Sequence, residues 1–261
     1  MPTSSVPSAL REFALVPDRY TRFAADAQRH DDGRVCVLQG TTWAAISGIR
    51  VAAEEVEALL TEVRALVPAD KAQTWWVDPH AQPADLYDRL LALGLERPAD
   101  RGDVVHALVC TEEPPAGPAG VTVHRVETYD DHLVATELQW EVFETPPDRR
   151  EAQKAHLRDE FEAYRAAGVP VTFLAELDGR PAGVARSIYS DRGVFLIAGA
   201  VREACRGRGV YRALVRARWE DAVQRQTPAL VTEALEDTSY PILTGLGFVD
   251  VGTTLRLIDK R

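Results

Sequence analysis

Residues 194–224 constrain this chain more than any other stretch. Val194 to Val201 is an uninterrupted apolar run, short enough for one buried strand. From Val210 onward good helix formers follow, with Leu214, Ala217, Arg218, Asp221 and Ala222 at helical spacing. Between the two lies Arg206-Gly207-Arg208-Gly209-Val210-Tyr211, a basic turn punctuated by glycine. Without a Cβ at Gly207 and Gly209 the backbone can approach a ligand closely. The first-turn N–H groups of the helix behind it lack intrahelical acceptors. Those donors, the helix dipole and the guanidinium groups of Arg206, Arg208 and Arg212 favour an anion, most naturally a diphosphate.

The two common nucleotide loops, Gly-x-x-x-x-Gly-Lys-Ser/Thr and Gly-x-Gly-x-x-Gly, do not describe this turn. Arg-x-x-Gly-x-x after a strand ending in Val resembles instead the acyl-CoA loop of the GNAT acetyltransferase superfamily, whose pattern is Gln/Arg-x-x-Gly-x-Gly/Ala. Tyr211 stands where the family has a small residue, a position that supplies mainly its backbone N–H. The resemblance implies acetyl-CoA as co-substrate, cradled by Arg206, Gly207, Arg208, Gly209, Val210, Tyr211 and Arg212. It further implies that the acyl group lies between the module's fourth and fifth strands, beside Ala200 and Val201. There a bulge, for which Gly199 is suited, would free the Val201 N–H to polarise the thioester carbonyl. The alternative for the same turn is a plain strand-to-helix connection.

A chain of 261 residues, 46% of them hydrophobic, can bury the core of one large domain or two small ones. The net charge of −10 argues against general nucleic-acid binding and suits a cationic or amine-bearing substrate. Cys36, Cys110 and Cys205 are far apart with no histidine at ligand spacing, so neither a disulfide framework nor a metal site is expected. No apolar run approaches membrane-spanning length, and no basic-then-apolar leader opens the chain. A cytoplasmic chain without membrane or nucleic-acid partners is expected, as monomer or homodimer.

Along the chain, an amphipathic helix broken near Pro17 is expected over 10–27, then strands over 34–38 and 43–48. A helix over 52–66 follows, with Val56, Leu59, Leu60 and Val63 on one face, then a strand over 74–77, a helix over 83–93 and a strand over 104–110. The proline- and glycine-dense run 112–120 marks the expected boundary between domains 1–113 and 120–261. Beyond it the pattern predicts strand 121–126, helices 129–143 and 149–167, a hairpin 171–189 and the stretch 194–224. Strand 229–234, helix 239–246 and two closing strands around Phe248 and Leu255 complete it. The fold class expected is α/β with a mixed sheet, in the order of a GNAT module over the second half. Tyr87, Leu90, Leu93 and Gly94 recur as Tyr240, Leu243, Leu246 and Gly247 at a constant offset of 153 residues. That makes two tandem modules the better reading. The first lacks the basic glycine turn, since Gly48-Ile49-Arg50-Val51-Ala52 precedes its long helix, and resembles a degenerate GNAT module that helps to shape the acceptor site.

Acetylating an amine needs a neutral nucleophile, a polarised thioester carbonyl and a proton for the departing thiolate. Many GNAT proteins carry the proton-donating Tyr five positions before the Phe of the last corner, and Leu243 is there in this chain. Tyr240, on nearly the same helix face, is the candidate acid, with packing as its alternative. Glu233 and Glu236 are candidate bases, as are Glu141 and Glu144; each also reads as a solvated carboxylate. Trp140 and Phe143 with Glu141 and Glu144 would make a cation-friendly acceptor wall, or a core helix face. The reading is an N-acetyltransferase moving acetyl from acetyl-CoA directly to a primary amine of a small molecule or a protein. Its alternative is an acyl-CoA-binding regulatory module without catalysis.

Overall fold

The computed structural model describes residues 6–23, 27–99 and 102–260. The small, polar, proline-bearing stretch from Met1 to about Ser8, whose composition predicts a ragged start, falls largely outside them. The chain opens with α1 (Ser8–Leu15), a 3-10 turn (Pro17–Arg19), β1 (Gln28–Asp31), β2 (Cys36–Gln39) and β3 (Trp43–Ser47). A second 3-10 turn (Ala53–Glu55) leads into α2 (Val56–Leu66), then β4 (Ala72–Val77), α3 (Leu86–Ala92) and β5 (Val104–Cys110). Next come β6 (Val121–Arg125), α4 (Tyr129–Val142), α5 (Pro147–Lys154), α6 (Leu157–Ala167), β7 (Val171–Leu177), β8 (Arg180–Ser190) and β9 (Gly193–Val201). After a 3-10 turn (Glu203–Cys205), α7 (Val210–Gln224), β10 (Leu230–Leu235), α8 (Ser239–Thr244) and β11 (Val249–Asp259) finish the chain.

Two compact units result, and they are not the two sequence halves. One comprises Met1–Thr21, Asp26–Val109 and Glu233–Arg261; the other comprises Arg22–Ala25 and Cys110–Thr232. The C-terminal arm therefore folds with the N-terminal unit, and the chain crosses from one unit to the other within β10.

In the first unit the strand order is β1-β2-β3-β4-β11-β5. β11 runs antiparallel to both neighbours, pairing Leu257 with Trp75 of β4 and Thr254 with Val105 of β5. Its central position explains why one long strand replaces the two short closing strands expected. A register shift between Asp250 and Gly252 absorbs the irregularity, so pairing to β5 continues on either side of it. Val56, Leu59, Leu60 and Val63 of α2 and Leu86 and Leu90 of α3 are buried in one cluster with Trp75 and Leu257.

In the second unit β6-β7-β8-β9 form an antiparallel run, and β10 adds in parallel to β9. One sheet face packs on α7, through Phe173, Ala175, Ala185, Val210 and Leu214. The other packs on α4, through Ala135, Leu138, Leu174, Val184 and Ala200. Alternation along β7 and β8 sends successive side chains to opposite helices. The single helix expected over 149–167 is two, α5 and α6, separated at Ala155 and His156.

Candidate active site

β9 carries the irregularity that the glycine foretold. Its ladder to β8 shifts between Val184↔Ala200 and Arg186↔Ile197, and Ala198 adopts a left-handed φ of 51°. At Gly199 a Cβ would lie 2.7 Å from the Tyr211 ring, so a larger residue there would have to displace that ring. The parallel ladder to β10 runs through Val194↔Leu230 to Leu196↔Thr232 and ends there. Beyond the bulge, Arg202 N–H donates to Ala182 O at 2.9 Å, which makes 182/202 a hydrogen-bonded pair. In an antiparallel ladder the adjoining pair, Gly183/Val201, is then not hydrogen-bonded. Val201 accordingly directs its N–H away from β8.

The turn that follows brings the basic and glycine residues together. Gly207 and Gly209 hold φ of 71° and 77°, a region that favours glycine. Gly209 is the N-cap of α7, and a Cβ there would lie 2.8 Å from Pro118. Gly117 approaches as closely, its would-be Cβ 2.7 Å from the Cβ of Ala213. Arg216 holds the same segment through Pro114 O at 3.0 Å and an ion pair with Glu113. The run expected to be a linker is thus packed along the first turns of α7, a contact the sequence did not suggest.

The start of α7 has no side-chain cap and, among its described residues, no acid in the first turn. Ala213 N–H reaches Gly209 O at 3.0 Å, which begins the helical ladder. The N–H groups of Val210, Tyr211 and Arg212 precede that bond and have no carbonyl of their own helix to meet. Arg208 pairs with Asp178 at 3.1 Å, while Arg206 is exposed and, among the described residues, without an ion-pair partner. Unspent donors, an unopposed dipole and a spare guanidinium are what a diphosphate requires, so these residues fit the nucleotide end of acetyl-CoA.

The other candidates divide. Glu141 is in the second unit and pairs at 3.0 Å with Arg202, just past the end of β9. Trp140 is buried and donates its indole N–H to Gln153, whereas Phe143 and Glu144 are exposed. The expected aromatic wall is therefore split between core and surface. Tyr240 and Glu233 lie in the first unit. The Tyr240 ring centroid is 4.2 Å from that of His106, whose Nδ1 is 2.8 Å from Asp250 Oδ2. Desolvation and the Asp250 carboxylate both push the Tyr240 phenol pKa up. Its counterpart in the repeat, Tyr87, gives its hydroxyl to Asp103 in the same manner. Leu243 is fully buried.

Glu233 is partly shielded on β10, and desolvation pushes its carboxyl up to about 8, with Asp18 adding and Arg256 opposing. Asp18 itself is raised to about 6 by burial against a 3.3 Å hydrogen bond from Ser47. No spacing in the sequence relates Asp18 to a residue more than two hundred positions away, and sequence reading missed it. Glu236 is exposed in the turn after β10.

The family model described as Acetyltransferase (GNAT) family matches residues 134–242. No curated protein matches the chain in sequence. Among solved structures, the chain is similar to a GCN5-related N-acetyltransferase from Kribbella flavida, with TM-score 0.64 and 17% identity over 98% of this chain and 97% of that one. It is similar to a tandem GNAT protein from the clavulanic acid biosynthesis pathway, solved without AcCoA, with TM-score 0.60 and 16% identity over 99% and 89% of the two chains. A functionally unknown protein from Staphylococcus epidermidis ATCC 12228 gives TM-score 0.65 at 13% identity, covering 94% and 97%. At these identities the likeness is one of fold, and it spans the whole chain. Together, the bulged strand, the uncapped basic helix start and the family match identify residues 134–242 as a domain of the GNAT acetyltransferase family.

Proposed function

We propose that this chain is a tandem GNAT protein that transfers acetyl from acetyl-CoA to a primary amine of a small molecule, by direct transfer. The observation that carries the reading is the helix start at Val210, left without cap or acid and flanked by Arg206. Bound there, acetyl-CoA would supply the thioester whose C–S bond breaks as the C–N bond forms. The chain's own residues do what remains. The N–H groups of Val210, Tyr211 and Arg212 and the Arg206 guanidinium hold phosphate oxygens. The Val201 N–H, turned away from β8, is the donor for the thioester oxygen as negative charge develops on it. Glu233, whose carboxyl is raised to about 8, remains a base candidate, one that holds its own proton at neutral pH and accepts another group's only above about pH 8. The net charge of −10 favours a cationic acceptor.

A second reading, an acyl-CoA-binding module without turnover, is favoured by the environment of Tyr240, its ring packed at a tilt against His106 and its hydroxyl close to Asp250. Calorimetry with acetyl-CoA tests the binding, and thiol release against a broad amine panel tests the chemistry. Saturable binding with amine-dependent CoA release supports the transferase. Binding without release from any amine supports the module, and no binding to folded protein at millimolar acetyl-CoA removes both.

A further inference from the structure

A cavity opens in the second unit, away from the helix start. It encloses about 410 Å³ and is walled by Arg125, Glu127, His132, Phe161, Tyr164 and Arg165, among others. Register locates it. Its Thr172 pairs with Arg186, which pairs with Ile197, whereas the cradle follows Val201, opposite Gly183 and Ala175. Three residues along the strands and two strands across separate them, roughly 10 Å in each direction. α4 reports the same separation. Glu141 meets Arg202 near the cradle, and His132 is nine residues earlier on that helix, roughly 13 Å away.

α6 supplies one wall by helical spacing, since Phe161, Tyr164, Arg165 and Gly168 fall at i, i+3, i+4 and i+7. The rings of His132 and Phe161 are 5.5 Å apart and those of His132 and Tyr164 6.4 Å apart, forming a continuous aromatic surface. Two observations point to a ligand. His132 is 2% exposed, and its Nε2 has no hydrogen-bond partner. An unpaired buried polar atom is costly, and in the tautomer with its proton on Nε2 the His132 ring can donate to an acceptor that enters the cavity. The charges are also unbalanced. Arg125 pairs with Asp221, but that one carboxylate also holds Arg225 at 3.2 Å; Arg186 lies 3.6 Å from Glu160. Among the lining residues the guanidinium groups of Arg125 and Arg165, the latter with no ion-pair partner among the described residues, therefore outnumber the single carboxylate, Glu127.

We infer that this cavity is a binding site for a small aromatic carboxylate. The ring lies against Phe161 and Tyr164, and the carboxylate accepts from Arg165 and from His132 Nε2–H. The volume is within the range of small-molecule pockets and accommodates one substituted ring. The reading is independent of acetyl-CoA, because no cradle residue lines the cavity.

The test is a titration of the full chain with sodium benzoate, followed by amide chemical shifts. Sodium acetate and benzyl alcohol present the charge and the ring alone. Saturable shifts at Tyr164, Gly168 and Thr172 are expected with benzoate, and about tenfold weaker binding with either comparator. Arg165→Glu and Tyr164→Ala should each weaken benzoate about tenfold, and Arg165→Lys should recover part of the loss. Acetyl-CoA shifts on α7 should be unchanged in all three variants. No saturation by about 20 mM benzoate, equal binding of benzyl alcohol, or full benzoate affinity in Arg165→Glu overturns the inference.

Discussion

The two units each contain a strand that turns into a long helix, and the two turns treat the helix start in opposite ways. After β3 the helix start is filled by the protein's own acids. Glu54 and Glu55 occupy its first turn, and Glu55 Oε2 accepts from Ala52 N–H at 2.8 Å. The basic residue of that turn, Arg50, is spent on buried Asp78 at 2.8 Å. After β9 the equivalent start has no acid and no cap, glycine at both left-handed positions, and Arg206 free of ion pairs among the described residues. The same helix dipole is present in both. What differs is whether the chain supplies the anion or leaves the place for one, and a few side chains decide it.

Putting an acid where the second unit omits one should have the largest effect. Gly209→Glu forces a side chain onto a φ of 77° and toward Pro118, and places a carboxylate at the mouth of the helix. Acetyl-CoA affinity by calorimetry should fall about 100-fold while the fold persists by circular dichroism. Unchanged affinity would mean that the two turns do not differ in the way described. Removing the spare cation is a gentler version of the same change. Arg206→Ala should weaken acetyl-CoA about tenfold at low salt and less at high salt, since the contact is exposed and screened. A loss independent of salt would point to a structural role for Arg206.

The acids of the first unit should show themselves in stability rather than in binding. Glu233 holds its proton up to about 8 when folded, against 4.5 for the free group. The folded state then binds one more proton than the unfolded state between those values, so this group's contribution falls as pH rises from about 4.5 to about 8. Asp18, raised from 3.8 to about 6, acts with the same sign over a narrower and lower window. Glu233→Gln removes the stronger of these two pH dependences. Its melting temperature should gain on the wild type between pH 5 and pH 8, and a difference that is flat or reversed contradicts the raised carboxyl. The smallest effect is expected at the filled helix start. Glu55→Ala frees Ala52 N–H and should lower melting by about 2 °C without conferring acetyl-CoA binding on that unit. New binding there would show that the acid alone had closed the site.

Local chemistry made the proposed acetyl-CoA site legible early. Glycine is the residue that adopts left-handed φ at little cost, so Gly207 and Gly209 announced the turn, and the apolar run before them announced β9. β5 has the bounds that its apolar pattern predicts, and β7 begins where the expected hairpin does. β1 was invisible because its four residues, Gln28 to Asp31, are exposed and polar, and only pairing to β2 makes them a strand.

The sequence by itself determined where most helices and strands begin, which helix start is open to an anion and which is closed by its own carboxylates, because those properties are written within a turn or two of chain. Tertiary structure alone decided that β11 inserts between β4 and β5, that the segment before β6 lines α7, and that burial, with Asp18 adding to it, raises the Glu233 carboxyl. Backbone hydrogen bonds choose partners without regard to side-chain identity, and a charge acts through space on whatever the fold brings beside it. Neither leaves a mark on the residues nearby in sequence.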